Sequence, residues 1–349
     1  MHERVRSIDF LRFSGALLVM LAHTEPPPWL FHLRNFGTPL LIVVAALSVV
    51  VVFRERPLRP AEFLKKRLLK LTVPAWLFLS FFFGVVLVYA HVIGKPFPFS
   101  ARQVITSYAL DSGIGYMWIF KVYLIVALLT PPLLQFKASV THKLTYFGIL
   151  AAAYVLYEVL NVFVQANVSS SAVLAFIDDS LIVVLPYSIL FAYGLELPEM
   201  SDRQVLISAA VSLAVFAALA ALKFSQGGHL VSTQAFKYPP TLYYLSYAFG
   251  CLNLLYLLAK SALVKRLPAG PIAWLSSNLL WIYLWHIMGL FIWNAVIGPA
   301  QGVLWVSTIK LAFVVAFGVS FTWLQKRILD VVHAQWRMRP TKFVQVVFG

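Results

Sequence analysis

Residues 4–28 read RVRSIDFLRFSGALLVMLAHTEPPP, an apolar run with Asp9 and Arg12 set inside it, His23 at its far end and Glu25-Pro-Pro-Pro behind. A transmembrane helix needs about 20 mostly apolar residues to cross roughly 30 Å of hydrocarbon. A cleaved signal has a short uncharged core followed by small residues. This run has charges within it and a Glu-Pro sequence after it, so we read it as a retained first span. Arg12 follows Asp9 by three positions and His23 follows Arg12 by eleven. At about 100° and 1.5 Å per residue, eleven steps end about 20° beyond three full turns and roughly 16 Å along the axis. On a helix, Arg12 and His23 therefore share a face, and a polar stripe runs through half the bilayer. Ionisable groups in lipid cost a few kcal/mol each and are the first place to look for function. A plainer reading also fits these residues: Asp9 and Arg12 as an i,i+3 pair with Arg12 snorkelling, and His23 as a hydrogen-bonded histidine near the outer interface.

The rest of the chain has the same pattern. Of 349 residues, 61% are hydrophobic and 12% charged, whereas a soluble domain carries about a quarter charged residues. Mean hydropathy is +0.83, which excludes disorder, collagen and coiled coil. Further spans are predicted near 37–53, 71–93, 116–134, 144–164, 179–195, 204–222, 241–259, 271–296 and 304–325. With 8–25 that makes an all-α integral membrane protein of about ten transmembrane helices. Alternation puts the N-terminus, the 54–70 loop, Lys137, Lys143, Arg203, Lys260 to Arg266 and the 326–349 tail on one side, and these hold 20 of the 28 Lys and Arg residues. Arg34, Lys95, Arg102, Lys223 and Lys237 fall on the other. The positive-inside rule then makes both termini cytoplasmic. Residues 1–349 read as a single polytopic membrane domain with a basic cytoplasmic tail over 326–349. The net charge of +15 is distributed in short blocks between apolar runs, so nucleic acid is not an expected partner. The single cysteine, Cys251, excludes an intrachain disulfide, and no His-based metal motif is present, so no metal is expected.

Three other places carry chemistry-bearing side chains. Residues 54–76, the 54–70 loop and the start of the third span, read RERPLRPAEFLKKRLLKLTVPAW. That basic cluster serves either topology and anionic lipid, or the phosphates of a cytoplasmic cosubstrate. The ninth span, PIAWLSSNLLWIYLWHIMGLFIW, holds Tyr283 and His286 at i,i+3 spacing among four tryptophans. Tryptophans at span ends anchor at the interface, and a mid-span histidine often bonds a neighbouring helix. Glu158, Asp178 and Asp179 are further candidates, for which caps and interhelical bonds are the simpler reading. Nucleophile elbows, P-loops and dinucleotide fingerprints are absent.

The stretch RSIDFLRFSGALLVMLAH resembles the opening of bacterial acyltransferase family 3, membrane enzymes that O-acylate surface carbohydrates. That family has an Arg, ten residues, then a His in its first span, matched here by Arg12 and His23 after Asp9-Phe10-Leu11. FLKKRLLKLTVPAW is similar to the family's basic entry to the third span, at Arg67, Lys70 and Pro74. YMWIFKVYL resembles its Trp-centred fourth span at Trp118, and NLLWIYLWH its late Tyr-Leu-x-His signature at Tyr283 and His286. The resemblance implies transfer of an acyl group, usually acetyl, from acetyl-CoA to a sugar hydroxyl. It implies a multi-pass protein of the bacterial inner membrane with no permanently bound cofactor. Acyl-CoA is then the cosubstrate, and a surface polysaccharide or lipid-linked oligosaccharide the acceptor, with membrane lipid around the protein. His23 becomes the general base, since histidine is suited to deprotonating a hydroxyl near neutral pH. Arg12 becomes the cosubstrate anchor and, with Asp9, a candidate catalytic residue beside His23, with Lys66, Arg67 and Lys70 holding phosphates. Trp118, Tyr283, His286 and Glu158 remain secondary candidates. From another class, a carrier or flippase of a lipid-linked sugar would use the same stripe as a substrate path.

Overall fold

The computed structural model describes residues 6–53, 58–111, 113–335, 344 and 347. Of the expected basic residues, Arg4, Arg54, Arg56, Arg337, Arg339 and Lys342 lie outside them, as does the Asp179 side chain. The described residues are all-helical. In chain order the helices are α1 (Arg6–Ala22), α2 (Pro28–Leu33), α3 (Gly37–Phe53), α4 (Pro60–Val92), α5 (Ala101–Tyr108), α6 (Trp118–Ser139) and α7 (Lys143–Asn167). Next come α8 (Ala172–Ile177), α9 (Leu185–Glu196), α10 (Asp202–Gly227), α11 (Leu242–Lys260), α12 (Ala262–Arg266), α13 (Ala269–Ser277), α14 (Leu279–Val296) and α15 (Leu304–Gln335).

Among the described residues, eight helical stretches are long and apolar enough to cross a membrane: Pro28–Phe53, α4, α6, Lys143–Ser170, α10, α11, α14 and Leu304–Val332. The other two expected spans are shorter. The helix α1 has 17 residues, about 25 Å at 1.5 Å each. The expected 179–195 span contains α9, of 12 residues, about 18 Å and too short to cross alone. A five-residue π-helical turn, Asp178–Ile182, precedes it, so the polar 165–180 stretch interrupts what hydropathy alone would join.

Other boundaries also move, each for a local reason. The basic 54–70 segment is not a loop throughout: α4 starts at Pro60, whose missing N–H costs nothing at a helix start. Lys65, Lys66, Arg67 and Lys70 therefore sit on the first three turns of a 33-residue helix. The ninth span is two helices, because Asn278 leaves helical geometry (φ −102°, ψ 7°) between α13 and α14. The helix α15 continues ten residues past the expected end at 325, to Gln335.

The helices group into two compact units. The first comprises 1–22, 27–57 and 129–276. Within it α3, apolar but for Thr38 and Ser48, packs on α1 and on α9, burying Leu40 through Val44. A Cβ on Gly194 of α9 would lie 2.8 Å from that of Ala46; this is close backbone approach by a small residue, as membrane helices use in place of a hydrophobic driving force. The second unit comprises 23–26, 58–128 and 277–349. There α14 packs on α15, where a Cβ on Gly318 would stand 2.7 Å from the Ile282 carbonyl oxygen. It also packs on α4 through Phe78 against Trp285 (5.8 Å between centroids) and Phe82 against Phe291 (4.7 Å). Leu156, Val159 and Phe163 of α7 and Ile207 and Val211 of α10 are exposed, the surface expected of helices that face lipid.

Candidate active site

The helix α1 ends at Ala22, and the following Pro26-Pro27-Pro28 cannot continue it. His23 therefore stands in the turn just beyond the helix, one residue past the helix on which its shared face with Arg12 was counted. It belongs to the second unit, as does His286 of α14. His23 Nδ1 lies 3.1 Å from His286 Nε2. The two rings are nearly parallel, 16° apart with centroids at 5.4 Å. Tyr116 meets the His23 ring edge-on at 4.8 Å. Tyr283 stands one helical turn before His286, and its hydroxyl donates to the Tyr116 carbonyl at 3.0 Å. Trp118, half-buried, opens α6 two residues after Tyr116.

Backbone chemistry fixes the protons in this pair. His286 is fully buried and its Nδ1 bonds the Tyr283 carbonyl. A carbonyl only accepts, so Nδ1 carries the hydrogen. In the neutral ring Nε2 is then the acceptor, and it takes the hydrogen of His23 Nδ1. The same logic puts the basic lone pair of neutral His23 on Nε2. Two histidines thus form an orienting relay that begins at a backbone carbonyl and ends at a basic nitrogen, the arrangement a general base needs.

The turn that carries His23 is itself fastened. Glu25 adopts a left-handed backbone (φ 53°), and its Oε1 pairs with Lys310 Nζ of α15 at 3.1 Å. Its Oε2 accepts from the Ala300 and Gln301 N–H groups at 2.7 and 3.3 Å. Its carbonyl accepts from Gly302 N–H at 3.1 Å. Lys310 is fully buried and also donates to Asn294 Oδ1 at 2.8 Å. Burial pushes the Glu25 carboxyl upward, but the Lys310 bond and the backbone donors outweigh it and hold the group below its ordinary range. Sequence reading missed Glu25, Lys310, Asn294 and Tyr116 as site residues. A lysine inside the last apolar run was the available signal, since a buried cation requires a partner.

In the first unit, Arg12 Nη1 donates to Ser276 Oγ (2.8 Å) and Nη2 to Ser48 Oγ (2.6 Å). Ser276 Oγ donates to buried Asp9 Oδ1 at 2.6 Å, and Arg12 Nη1 is 3.5 Å from the same oxygen. Arg12 is thus a cation held by two hydroxyls and a carboxylate. Glu158 Oε1 accepts from the Tyr154 hydroxyl at 2.7 Å and from the Leu242 N–H at 2.5 Å, which caps the start of α11. Asp178 accepts from Gln165 Nε2 at 2.7 Å. In the second unit, Lys65 and Lys66 are exposed on α4 and the Arg67 guanidinium lies over the Phe63 ring at 5.3 Å.

Among the described residues, no group of three or more His, Cys, Asp or Glu side chains is arranged to hold a metal ion. The acyltransferase family 3 model, described as an acyltransferase domain, matches residues 5–324. No curated protein and no solved structure matches the chain.

Proposed function

We propose a function on the premise that the chain belongs to acyltransferase family 3 and is a membrane acyltransferase. The reaction is transfer of an acyl group, acetyl in its simplest form, from acyl-CoA to a hydroxyl of an extracytoplasmic or lipid-linked carbohydrate. The setting is a bacterial inner membrane, with both termini in the cytoplasm. The observation that carries this reading is the relay from the Tyr283 carbonyl through His286 to His23.

In the step, the acceptor oxygen attacks the thioester carbonyl carbon while its proton passes to His23 Nε2. The tetrahedral intermediate collapses, the C–S bond breaks, and the CoA sulfur leaves with the proton held by His23. His286 keeps the His23 ring in the tautomer and orientation this requires, and the Glu25–Lys310 pair fixes the turn that carries it. In the first unit, Ser48, Ser276 and Asp9 hold the Arg12 guanidinium in place. In the second, Lys66, Arg67 and Lys70 supply positive charge for the phosphates of the cosubstrate.

The direct test is purified protein in vesicles with radiolabelled acetyl-CoA on one side and carbohydrate acceptor on the other. Label should move to the acceptor, with one free thiol released per group transferred. Release of CoA without labelled carbohydrate would refute the acceptor class. Transport of unmodified sugar without acyl-CoA would replace the reading with a carrier.

The basic face of α4 gives a separate expectation. Neutralising Lys66 and Arg67 together should raise the KM for acetyl-CoA roughly tenfold, at the scale of one or two charge-assisted bonds, with kcat little changed. Changed abundance with unchanged KM would leave these residues a topological role.

A further inference from the structure

The connection between α5 and α6 lies wholly in the second unit. Its backbone bends in a way that side chains normally oppose. Buried Leu110 (φ 57°), Gly113 (φ 46°) and Gly115 (φ 86°) all take left-handed conformations. Glycine does so at no steric cost, but a leucine does not. The connection is held in this shape at both ends. At the α5 end, the buried Ser107 hydroxyl donates to the Gln103 carbonyl (2.7 Å) and accepts from the Ile114 N–H (3.0 Å). A Cβ on Gly113 would overlap that serine, so only glycine fits there. At the α6 end, Asp111 Oδ1 pairs with Lys121 Nζ at 2.7 Å. The Tyr116 carbonyl accepts from the Tyr283 hydroxyl at 3.0 Å.

A strained backbone persists where its surroundings over-determine it, and such places cluster at functional sites. What this one presents is the Tyr116 ring, which meets the His23 ring at 4.8 Å with 81° between the planes. The His286 ring is 6.3 Å from it. His23 needs such support, because it stands past the end of α1 and the helix does not fix its side chain. Its bond to His286 sets one nitrogen but leaves the ring able to rotate about that bond. A perpendicular ring, the arrangement that paired aromatic rings favour, blocks the rotation. The gain is large where chemistry is concerned, since a misplacement of about 1 Å can cost about 10²-fold in rate.

We infer that Tyr116 is a positioning residue for His23: the connection between α5 and α6 holds its ring against the imidazole and keeps Nε2 aimed at the acceptor hydroxyl. Ser107 and the Asp111–Lys121 pair fasten the connection, so they act on the base at one remove. The inference rests on the reading of His23 as the general base. It adds a third support to the His286 bond and the Glu25–Lys310 anchor. Because the contact is made by the ring, phenylalanine serves at position 116 and an aliphatic side chain does not.

The test is a double-mutant cycle in the vesicle assay, on full-length variants shown to be folded by thermal melt. Tyr116→Leu should lower kcat at least roughly tenfold and leave the KM for acetyl-CoA unchanged. Tyr116→Phe should recover most of that loss. In a His23→Gln background, Tyr116→Leu should cost less than about twofold more, because the base it positions is gone. A side chain that only packs would multiply its effect in the double variant. Should Tyr116→Leu not fold, Asp111→Asn is read in its place, with kcat down about threefold or more and the loss again absent beside His23→Gln. Full multiplication of the two losses, a raised KM at unchanged kcat, or normal kcat in the folded variant would overturn the proposal. So would a phenylalanine variant as poor as the leucine one. A normally active His23→Gln protein would overturn the general-base reading itself, and this inference with it.

Discussion

His23→Gln is expected to insert and fold like the wild-type protein and to lose about 10²–10⁴ in turnover, the usual worth of a general base. Glutamine keeps the size and the hydrogen-bonding capacity of the side chain but cannot take a proton at neutral pH. His286 should behave differently, because its role in the relay is to accept from His23 Nδ1. His286→Gln retains an acceptor and should keep part of the activity, while His286→Leu, with none, should lose more. KM for acetyl-CoA should stay the same in both, since the proposed step gives neither ring a part in holding the cosubstrate. Specific activity must be read on protein shown to be folded, by thermal melt in detergent. A folded His23→Gln enzyme with normal specific activity would end the mechanism. Equal loss in the two His286 variants would end the relay.

Removal of Glu25 should harm the protein more than removal of its partner. Glu25→Ala leaves Lys310, fully buried, with Asn294 and no counter-charge. Breaking a buried ion pair from one side costs about 3–5 kcal/mol, and the partial exposure of Glu25 places this pair at about 3. Lys310→Met removes the buried cation itself and leaves the carboxylate bonded to the Ala300 and Gln301 N–H groups. It should therefore melt closer to the wild type. The pair also implies a direction with pH. Because the folded carboxyl is held below its ordinary range, its contribution is complete above that range and is lost as the pH falls through it. The Tm difference between wild type and Glu25→Gln should therefore shrink in acid. A larger loss in Lys310→Met than in Glu25→Ala would show that packing, and not charge, governs the contact.

That the chain is a helical membrane protein follows from its residues alone. Apolar runs near 20 residues permit little else in lipid, where the backbone must satisfy its own hydrogen bonds. The same sequence also marked Arg12, His23, Tyr283 and His286, because polar groups inside apolar runs stand out. The apolar run 271–296 did not disclose the break at Asn278, and the 179–195 run did not disclose a 12-residue α9 behind a π turn. Hydropathy averages over a window and is blind to which backbone bonds are made. It took the folded chain to show that His23 and His286, 263 residues apart, share a hydrogen bond, and that the Tyr283 carbonyl sets their tautomers. The fold alone joined Glu25 to Lys310, and Tyr116 to the His23 ring. The reason is physical: a buried charge declares in the sequence that it needs a partner, but that partner is chosen by helix packing, and helices pack across any separation along the chain.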